Sequence, residues 1–252
     1  MLYLVEDFYS IQGEGRYTGV PSLFFRFGGC NMRCEGYGCV ETAPQGHNVI
    51  GCDTVYAVDK DTFGKSWKTI FEIQPLINIM KSYKLPEKVD VVLTGGEPLL
   101  YADNVLFISF IKYLIDHGHR VTFETNGTIP VDFEANPVYK ECIFALSVKL
   151  SNSGEIRAKR LKPKAINSIT KHAKESFFKF TVDAKHLDAG LEAEISEIAA
   201  LSPSTQVYCM PLGGSKREVE FNTEAVIDFC KKHGYTYSDR LHVRIWDANK
   251  GV

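Results

Sequence analysis

The stretch Phe27-Gly-Gly-Cys30-Asn-Met-Arg-Cys34 ends a run of β-branched and aromatic residues, Ser22–Gly28, that predicts a strand. Further along the chain, Gly51-Cys-Asp-Thr54 supplies another cysteine. Thiolates on a loop at the carboxyl end of a strand, beside glycines that allow close backbone approach, are typical of an iron–sulfur site. A structural zinc site usually has two close pairs of ligands, and this segment supplies only one such pair. The spacing therefore favours a cluster over zinc.

The composition of the whole chain is that of a globular protein. Its 252 residues are 44% hydrophobic, and 29 Lys and Arg face 31 Asp and Glu, giving a formal charge of −2. Such a balance attracts neither nucleic acid nor an anionic membrane over long range. No apolar run approaches the roughly 20 residues of a membrane span, and the start lacks the pattern of a signal peptide. We expect a cytoplasmic protein with no membrane or nucleic-acid partner. Its seven cysteines, an odd number, indicate metal or redox use.

Runs that favour strands alternate with segments of helical period, which predicts an α/β chain with a largely parallel sheet. The predicted strands are Ser22–Gly28, Val89–Thr94, Arg120–Thr125, Cys142–Lys149, Ser176–Asp183, Thr205–Met210 and Leu241–Trp246. The predicted helices are Ile70–Tyr83, Val105–His117 after an Asp103 cap, Pro163–His172, Ala189–Leu201 and Thr223–His233 after an Asn222 cap. We interpret residues 1–252 as one domain.

The faces of the predicted strands are uneven. In Cys142–Lys149, one face carries only apolar side chains while the other ends in Ser147 and Lys149. Similar polar faces carry Arg26, Thr94, Glu124, Lys179, Thr181, Asp183, His242 and Arg244. An outer face packed on helices and an inner face with polar groups is what a barrel that holds a ligand requires. The alternative is a flat, doubly wound sheet with polar strand edges.

An ordered set of motifs resembles the radical S-adenosylmethionine (SAM) enzymes and, among them, the 7-carboxy-7-deazaguanine synthases of queuosine biosynthesis. The motifs are Ser10-Ile-Gln-Gly-Glu-Gly15, Arg26-Phe-Gly-Gly-Cys30-Asn-Met-Arg-Cys34, Gly51-Cys-Asp-Thr54, Leu93-Thr-Gly-Gly-Glu-Pro98, Glu124-Thr-Asn-Gly-Thr128 and the ending Trp246-Asp-Ala-Asn-Lys-Gly-Val252. Gly-Gly-Glu or three cysteines alone would be a weak signal, but the ordered set spans nearly the whole chain. The resemblance implies a partial or modified (β/α) barrel of the radical SAM type.

The cysteine motif departs from the common family pattern, Cys-x3-Cys-x2-Cys followed by Asp-Thr, because an insertion at about 35–51 in the cysteine loop separates Cys34 from Cys52. By resemblance, Asp-Thr stands beside the third ligand, so we predict Cys30, Cys34 and Cys52 as the ligands of a [4Fe–4S] cluster. The alternative triad replaces Cys52 with Cys39, because cysteine spacing alone does not determine connectivity. In the preferred triad Cys39 is a free thiol in a surface insertion.

The resemblance also implies where SAM binds. Three thiolates leave one iron open, and in the family the amino and carboxylate groups of SAM occupy it. The SAM-binding positions implied in this chain are Asp53, Gly96, Glu97, Ser147, Val148, Lys149, Met210, Pro211, Leu212 and Gly213. The residues at the later strand ends have an alternative interpretation as ordinary strand termini, which are commonly polar or turn-forming.

The implied substrate is 6-carboxy-5,6,7,8-tetrahydropterin, a flat heterocycle with a carboxylate. Ile11, Gln12 and Gly13 are predicted to bind the pterin edge, Thr94 to bind substrate, and Arg26 to hold the carboxylate, with a salt-bridged barrel arginine as the alternative. The family's Mg²⁺ contact corresponds to Thr54. The resemblance implies hydrogen abstraction at C6, radical ring contraction and loss of ammonia, with SAM regenerated in each turnover. His242 is a weaker candidate, as a supporting group.

The resemblance further implies a flavodoxin or ferredoxin as electron donor and a homodimer. Two other functions remain open. One is an activase that generates a glycyl radical on a partner protein. The other is a non-catalytic iron–sulfur or zinc protein that binds nucleic acid, for which the basic run Arg157-Ala-Lys-Arg-Leu-Lys-Pro-Lys164 is the candidate surface.

Overall fold

The computed structural model describes residues 1–251, with the side chains at 188 and 189 outside that description. The strands are β1 (Leu2–Ile11), β2 (Pro21–Phe27), β3 (Cys39–Thr42), β4 (Asn48–Gly51), β5 (Lys68–Ile70), β6 (Asp90–Gly95), β7 (Arg120–Thr125), β8 (Ile143–Leu146), β9 (Glu175–Val182), β10 (Val207–Pro211) and β11 (Thr236–Tyr237). The helices are α1 (Lys60–Phe63), α2 (Gln74–Ser82), α3 (Val105–Asp116), α4 (Arg157–Arg160), α5 (Pro163–His172), α6 (Ala184–His186), α7 (Glu192–Ala199), α8 (Lys216–His233) and α9 (Leu241–Trp246). Across residues 1–251, no helix has both the length and the apolar character to cross a membrane.

The central sheet has the strand order β11-β10-β9-β8-β7-β6-β2-β1-β5 within the described residues. From β2 to β11 every neighbouring pair runs parallel, and only β1 pairs antiparallel with β2 and β5. The helices between the parallel strands make the crossover connections that such a sheet needs. The prediction of an α/β fold with a largely parallel sheet is confirmed.

The two faces of the sheet differ as the sequence pattern predicts. Cys142, Phe144, Leu146 and Val148 join the large core between the sheet and its helices. Ile143 and Ala145 point to the other face, where they pack with Phe177 and Tyr208 in a small separate cluster. Since successive side chains of a strand alternate between faces, the inner face is free to carry polar groups at the strand ends.

Three predictions of local structure are wrong. Leu241–Trp246 is helix α9 and not a strand, so His242 and Arg244 do not belong to the sheet. Helix α3 is capped by Asn104, whose Oδ1 accepts from Leu106 N at 3.0 Å, and not by Asp103. Helix α8 begins at Lys216 after a Ser215 capping box, so Asn222 lies inside the helix as a buried residue. Its predicted end at Gly234, with φ of 69°, is confirmed.

Two loops connect the distant parts of the sheet. The segment after β1 meets the segment after β11, because Gly15 N donates to Ser238 Oγ at 2.7 Å and Leu241 N donates to Gly13 O at 2.8 Å. In the part of the chain that is described, β5 and β11 are edge strands that do not pair with each other. The sheet is therefore open, and the loops link its two ends.

The insertion at 35–51 forms a short helical turn and the antiparallel hairpin β3–β4. Val40 and Ile50 face each other across this hairpin and are 60% and 53% exposed. Cys39 is opposite Gly51, which places it next to Cys52 in the same region of the fold. Cys39 is a free, half-buried thiol of this hairpin, and it lines the central cavity.

Candidate active site

A cavity of about 910 Å³ lies at the carboxyl ends of the parallel strands. Most of the predicted site residues line it. They are Cys30, Cys34, Cys52, Asp53, Thr54, Ile11, Gln12, Gly13, Arg26, Thr94, Gly96, Ser147, Lys149, Met210, Leu212 and Gly213. Glu97, Val148 and Pro211 are buried behind the lining residues. Positions spread from residue 11 to residue 213 thus share one cavity, as strand ends of a parallel sheet do.

The cysteines of the cavity are buried thiols. Met32 N donates to Cys30 Sγ at 3.4 Å, and Cys52 Sγ lies 3.4 Å from Thr54 Oγ1. Burial raises the pKa of Cys34 to about 11 and also raises that of Cys52. Thiolates here need a positive centre, and a bound metal deprotonates a coordinating thiol. The donor set and the N–H bond to sulfur fit an iron–sulfur cluster.

No three His, Cys, Asp or Glu side chains among the described residues converge closely enough to bind one metal ion. The thiolates of a [4Fe–4S] cluster each bind a different iron, so a cluster does not require that convergence. Cys39 also lines the cavity, and its pKa is raised to about 12 by burial and by the nearby Asp53 and Cys52. Both candidate triads therefore remain compatible with this geometry.

The Gly95-Gly96 pair lies directly against the cysteine loop. Gly96 N donates to Phe27 O at 3.1 Å, and Glu97 N donates to Gly29 O at 2.8 Å. A Cβ on Gly95 would collide with Phe27 O, and one on Gly96 would collide with Gly29 O. Only glycine permits this approach, so the two motifs form one wall of the cavity.

Glu97 connects three motifs from behind that wall. Its carboxylate accepts from Thr125 Oγ1 and from Asn126 N, both at 2.7 Å. Asn126 Nδ2 in turn donates to Asn31 Oδ1 in the cysteine loop at 2.8 Å. Glu97 is 0% exposed, so protein groups donate to its carboxylate, and these hydrogen bonds hold the wall of the cavity in place. The SAM contact predicted for Glu97 stays a prediction.

Lys149 supplies positive charge beside the thiols. Its Nζ donates to Ser147 Oγ at 3.0 Å. Burial alone would lower the pKa of Lys149, but Tyr37 and the thiols of Cys34 and Cys52 raise it on balance. A cation held this way stabilises anionic ligands in the cavity.

Arg26 forms a salt bridge at the edge of the cavity, and its predicted contact with a substrate carboxylate stays a prediction. Its Nε is 2.6 Å from Glu6 Oε1, which is the salt bridge of the alternative interpretation. The guanidinium nevertheless lines the cavity, beside the rings of Phe8 and Tyr56 at 5.9 Å each. Glu6 uses one edge of the planar group, and the remaining donors are available to an anion.

A network of charged side chains crosses the cavity, and the sequence analysis does not predict this network. Lys179, 3% exposed, holds Glu14 Oε2 at 2.9 Å and Glu124 Oε1 at 3.0 Å. Arg240 joins Glu14 Oε1 at 2.7 Å to Asp53 Oδ2 at 2.6 Å and also donates to Gly213 O. Burial raises the pKa of Glu14, but Lys179 and Arg240 outweigh it and hold that pKa well below its usual value.

The sequence carries a signal for one of these network residues but not for the other. Glu14 lies within the motif Ser10–Gly15, and a charged side chain within that motif is a signal for a site residue. Arg240 belongs to none of the quoted motifs, and its partner Glu14 is 226 positions away, so no local pattern marks it. Arg240 brings together the first motif, the Cys52-Asp-Thr motif and the strand end at Gly213.

Gln12 and Gly13 both contact neighbouring protein groups, Gln12 through hydrogen bonds of its side chain and Gly13 through close packing. Gln12 Nε2 donates to Glu124 Oε1 at 3.2 Å, and Gln12 Oε1 accepts from Glu14 N at 3.1 Å. A Cβ on Gly13 would collide with the His242 ring, whose Nε2 lies 3.8 Å from Glu14 Oε1. His242 therefore lines the cavity beside Gly13, and its role as a supporting group stays a prediction.

Comparisons with known proteins give the family of this chain and a similar fold. Residues 11–170 match the family model described as a 4Fe-4S single cluster domain. The chain is 30% identical over 253 residues to the 7-carboxy-7-deazaguanine synthase of Clostridium acetobutylicum, covering 98% of this chain and 97% of the relative. It is 29% identical over 256 residues to that of Halobacterium salinarum, covering 96% and 89%. The crystal structure of QueE from Escherichia coli superposes with a TM-score of 0.62 at 21% identity, covering 96% of this chain and 94% of that one.

Proposed function

The chain belongs to the 4Fe-4S single cluster domain family and to the 7-carboxy-7-deazaguanine synthases, and from that premise we propose its reaction. The protein converts 6-carboxy-5,6,7,8-tetrahydropterin to 7-carboxy-7-deazaguanine with loss of ammonia, in queuosine biosynthesis and hence tRNA modification. One observation carries the proposal. A single cavity contains the cysteine motif, the Gly95-Gly96 wall and the strand ends that the resemblance assigns to SAM.

Cys30, Cys34 and Cys52 hold the [4Fe–4S] cluster in this proposal, and Cys39 is the alternative third ligand. When bound, the cluster and SAM supply a 5′-deoxyadenosyl radical for hydrogen abstraction, the hard step that the protein itself cannot provide. The chain's own residues orient the reactants and exclude water. Asp53, Gly96, Glu97, Ser147, Val148, Lys149, Met210, Pro211, Leu212 and Gly213 form the SAM site, some of them through their backbone.

The cavity chemistry supports a flat, carboxylated substrate. Arg26 binds its carboxylate, because the guanidinium lines the cavity with donors beyond the one that Glu6 uses. Thr94 is 6% exposed and faces the same space from the neighbouring strand. Ile11, Gln12 and Gly13 bind the pterin edge. Thr54, 3.4 Å from Cys52 Sγ, offers a hydroxyl to Mg²⁺, which keeps its other positions for substrate and water.

The remaining parts of the proposal are a flavodoxin or ferredoxin as electron donor, a homodimer, a cytoplasmic location and a single domain over residues 1–252. The cysteines are all free, which fits a reducing compartment. In the basic run at 157–164, three of the five basic side chains have acidic partners, while Lys162 and Lys164 are exposed. Arg157 pairs with Glu197, and Arg160 pairs with Glu194 at 2.9 Å. This pairing argues against the run as a nucleic-acid surface.

Anaerobic incubation of reconstituted protein with SAM, dithionite and the carboxytetrahydropterin tests the proposal. We expect a 7-carboxy-7-deazaguanine product, detected by mass spectrometry, and SAM that is not consumed in proportion to product. A matched reaction without Mg²⁺ should be slower. A protein with a full cluster that cleaves SAM yet leaves the pterin unchanged would contradict the proposed substrate and favour a glycyl-radical activase.

A further inference from the structure

Cys34 has a backbone conformation that a cysteine rarely adopts. Its φ of 54° and ψ of 44° are left-handed, and Asp247 is the only other non-glycine residue with positive φ in the described chain. Left-handed backbone is unfavourable for a residue with a Cβ, so surrounding contacts must hold it in place. Strain of this kind at a predicted cluster ligand calls for an identifiable support.

Glu155 provides that support. Its Oε1 accepts from two successive amides, Arg33 N at 2.5 Å and Cys34 N at 3.1 Å. Its other oxygen accepts from Lys159 Nζ at 2.8 Å, and the Glu155 side chain is only 10% exposed. A carboxylate held by a lysine and shared by two amides fixes the orientation of the peptide units on both sides of Arg33, because charge-assisted hydrogen bonds are strong and directional.

The backbone next to Glu155 also contacts the cysteine loop. A Cβ on Gly36 would lie 2.5 Å from Asn152 O and 2.6 Å from Gly154 N, so the turn after Cys34 packs directly on the turn at Ser151–Ser153. This second turn follows Lys149 closely along the chain. The strand end assigned to SAM and the loop that carries Cys34 are therefore joined through the segment that ends in Glu155.

We propose that Glu155 is a positioning residue for the cluster, acting through Cys34. Its carboxylate selects the left-handed turn that directs the Cys34 thiol into the cavity before iron arrives. It also occupies the amides of Arg33 and Cys34, which then cannot donate to cluster sulfur. Because hydrogen bonds to sulfur and nearby charge set the potential of a cluster, Glu155 keeps that potential low. The inference requires only that Cys34 is a cluster ligand, and it does not depend on the identity of the substrate.

The test compares cluster retention in the reconstituted full-length protein. Each variant is challenged anaerobically with excess EDTA, and the loss of visible absorbance is followed without SAM or substrate. We expect Glu155→Ala to lose its cluster about tenfold faster than the unchanged protein, a typical effect of removing a partner of a metal ligand. Glu155→Gln retains an acceptor oxygen and should restore most of the retention. Glu197→Ala, which removes an exposed partner of Arg157, is the matched control and should behave like the unchanged protein.

A second readout separates positioning from general stability. Glu155→Gln removes one negative charge beside the cluster, so its reduction potential in an EPR-monitored titration should rise, while that of the control should not. Circular dichroism of each apoprotein shows whether the fold is intact. Retention in Glu155→Ala at the unchanged rate would overturn the proposal, and so would equal loss in Glu155→Gln and Glu155→Ala. A protein that keeps its cluster but makes no deazaguanine would count against the proposed function and leave this test valid.

Discussion

Replacement of Arg240 by methionine should destabilise the protein substantially. Met fills a similar volume but cannot donate to Glu14, Asp53 or Gly213 O. Breaking a buried ion pair on one side costs about 3–5 kcal/mol when the remaining charge has no other partner. Glu14 keeps Lys179 at 2.9 Å, and the Asp53 side chain is 44% exposed, where a pair is worth at most about 1 kcal/mol. We therefore expect a loss of about 2–3 kcal/mol.

The assay is urea unfolding of the apoprotein, because cluster loss would make unfolding irreversible. Fluorescence of Trp67, which is 6% exposed, reports the transition. Arg157→Met is the matched control, since it makes the same chemical change at an ion pair in which both side chains are about half exposed, and we expect it to cost under about 0.5 kcal/mol. If both variants lose the same small amount, the network does not stabilise the fold and the reasoning fails. A Glu14→Gln cycle with Arg240→Met would then show no coupling energy.

Three further predictions concern the cluster, the metal ion and pH. Cys52→Ala should abolish cluster assembly while Cys39→Ala retains it, as measured by iron and sulfide content after anaerobic reconstitution; the reverse result would make Cys39 the third ligand. Thr54→Ala should lose the dependence of turnover on Mg²⁺ concentration, and an unchanged dependence would remove Thr54 from the metal site. Glu14 has a lower pKa in the folded than in the unfolded state, because Lys179 and Arg240 outweigh burial. Its contribution to stability is therefore present above its unfolded pKa of about 4.3 and is lost as pH falls toward its folded value, so Glu14→Gln should flatten the fall in unfolding free energy below about pH 5, and an unchanged slope would contradict this.

The period of the strands was readable from the sequence because one face of each is packed on helices. Cys142, Phe144, Leu146 and Val148 join the helix-side core as their alternation predicts. Alternation failed at Leu241–Trp246, since six residues are too few to separate a strand from a short helix at the surface. Helix α8 begins after a capping box formed by Ser215 and Glu218, a pattern that is present in the sequence, and the prediction of Asn222 as the cap is wrong.

Some features of the candidate site could likewise be predicted from the sequence, and others could not. Motifs such as Gly95-Gly96 could be assigned because close backbone approach demands glycine, and this requirement is local. The ion pairs could not be assigned. The partner of Arg240 depends on how the chain folds back on itself, and a lone arginine near a helix has many possible partners. The buried position of Glu97 could not be predicted for the same reason, since the groups that donate hydrogen bonds to its carboxylate, Thr125 Oγ1 and Asn126 N, lie at the end of the next strand.

The hydrogen bonds between the loop at Gly13–Gly15 and the loop at Ser238–Leu241 affect the order in which the protein folds as it is synthesised. Gly15 and Ser238 are 223 positions apart, so the ribosome releases the first loop long before the second. Contacts between residues so distant in sequence form slowly, because a long loop must close before they contribute. During translation, the cysteine loop is therefore present before the contacts between these two loops have formed. Arg240, which pairs with Glu14 and donates to Gly213 O, can complete the cavity lining only after both loops have left the ribosome.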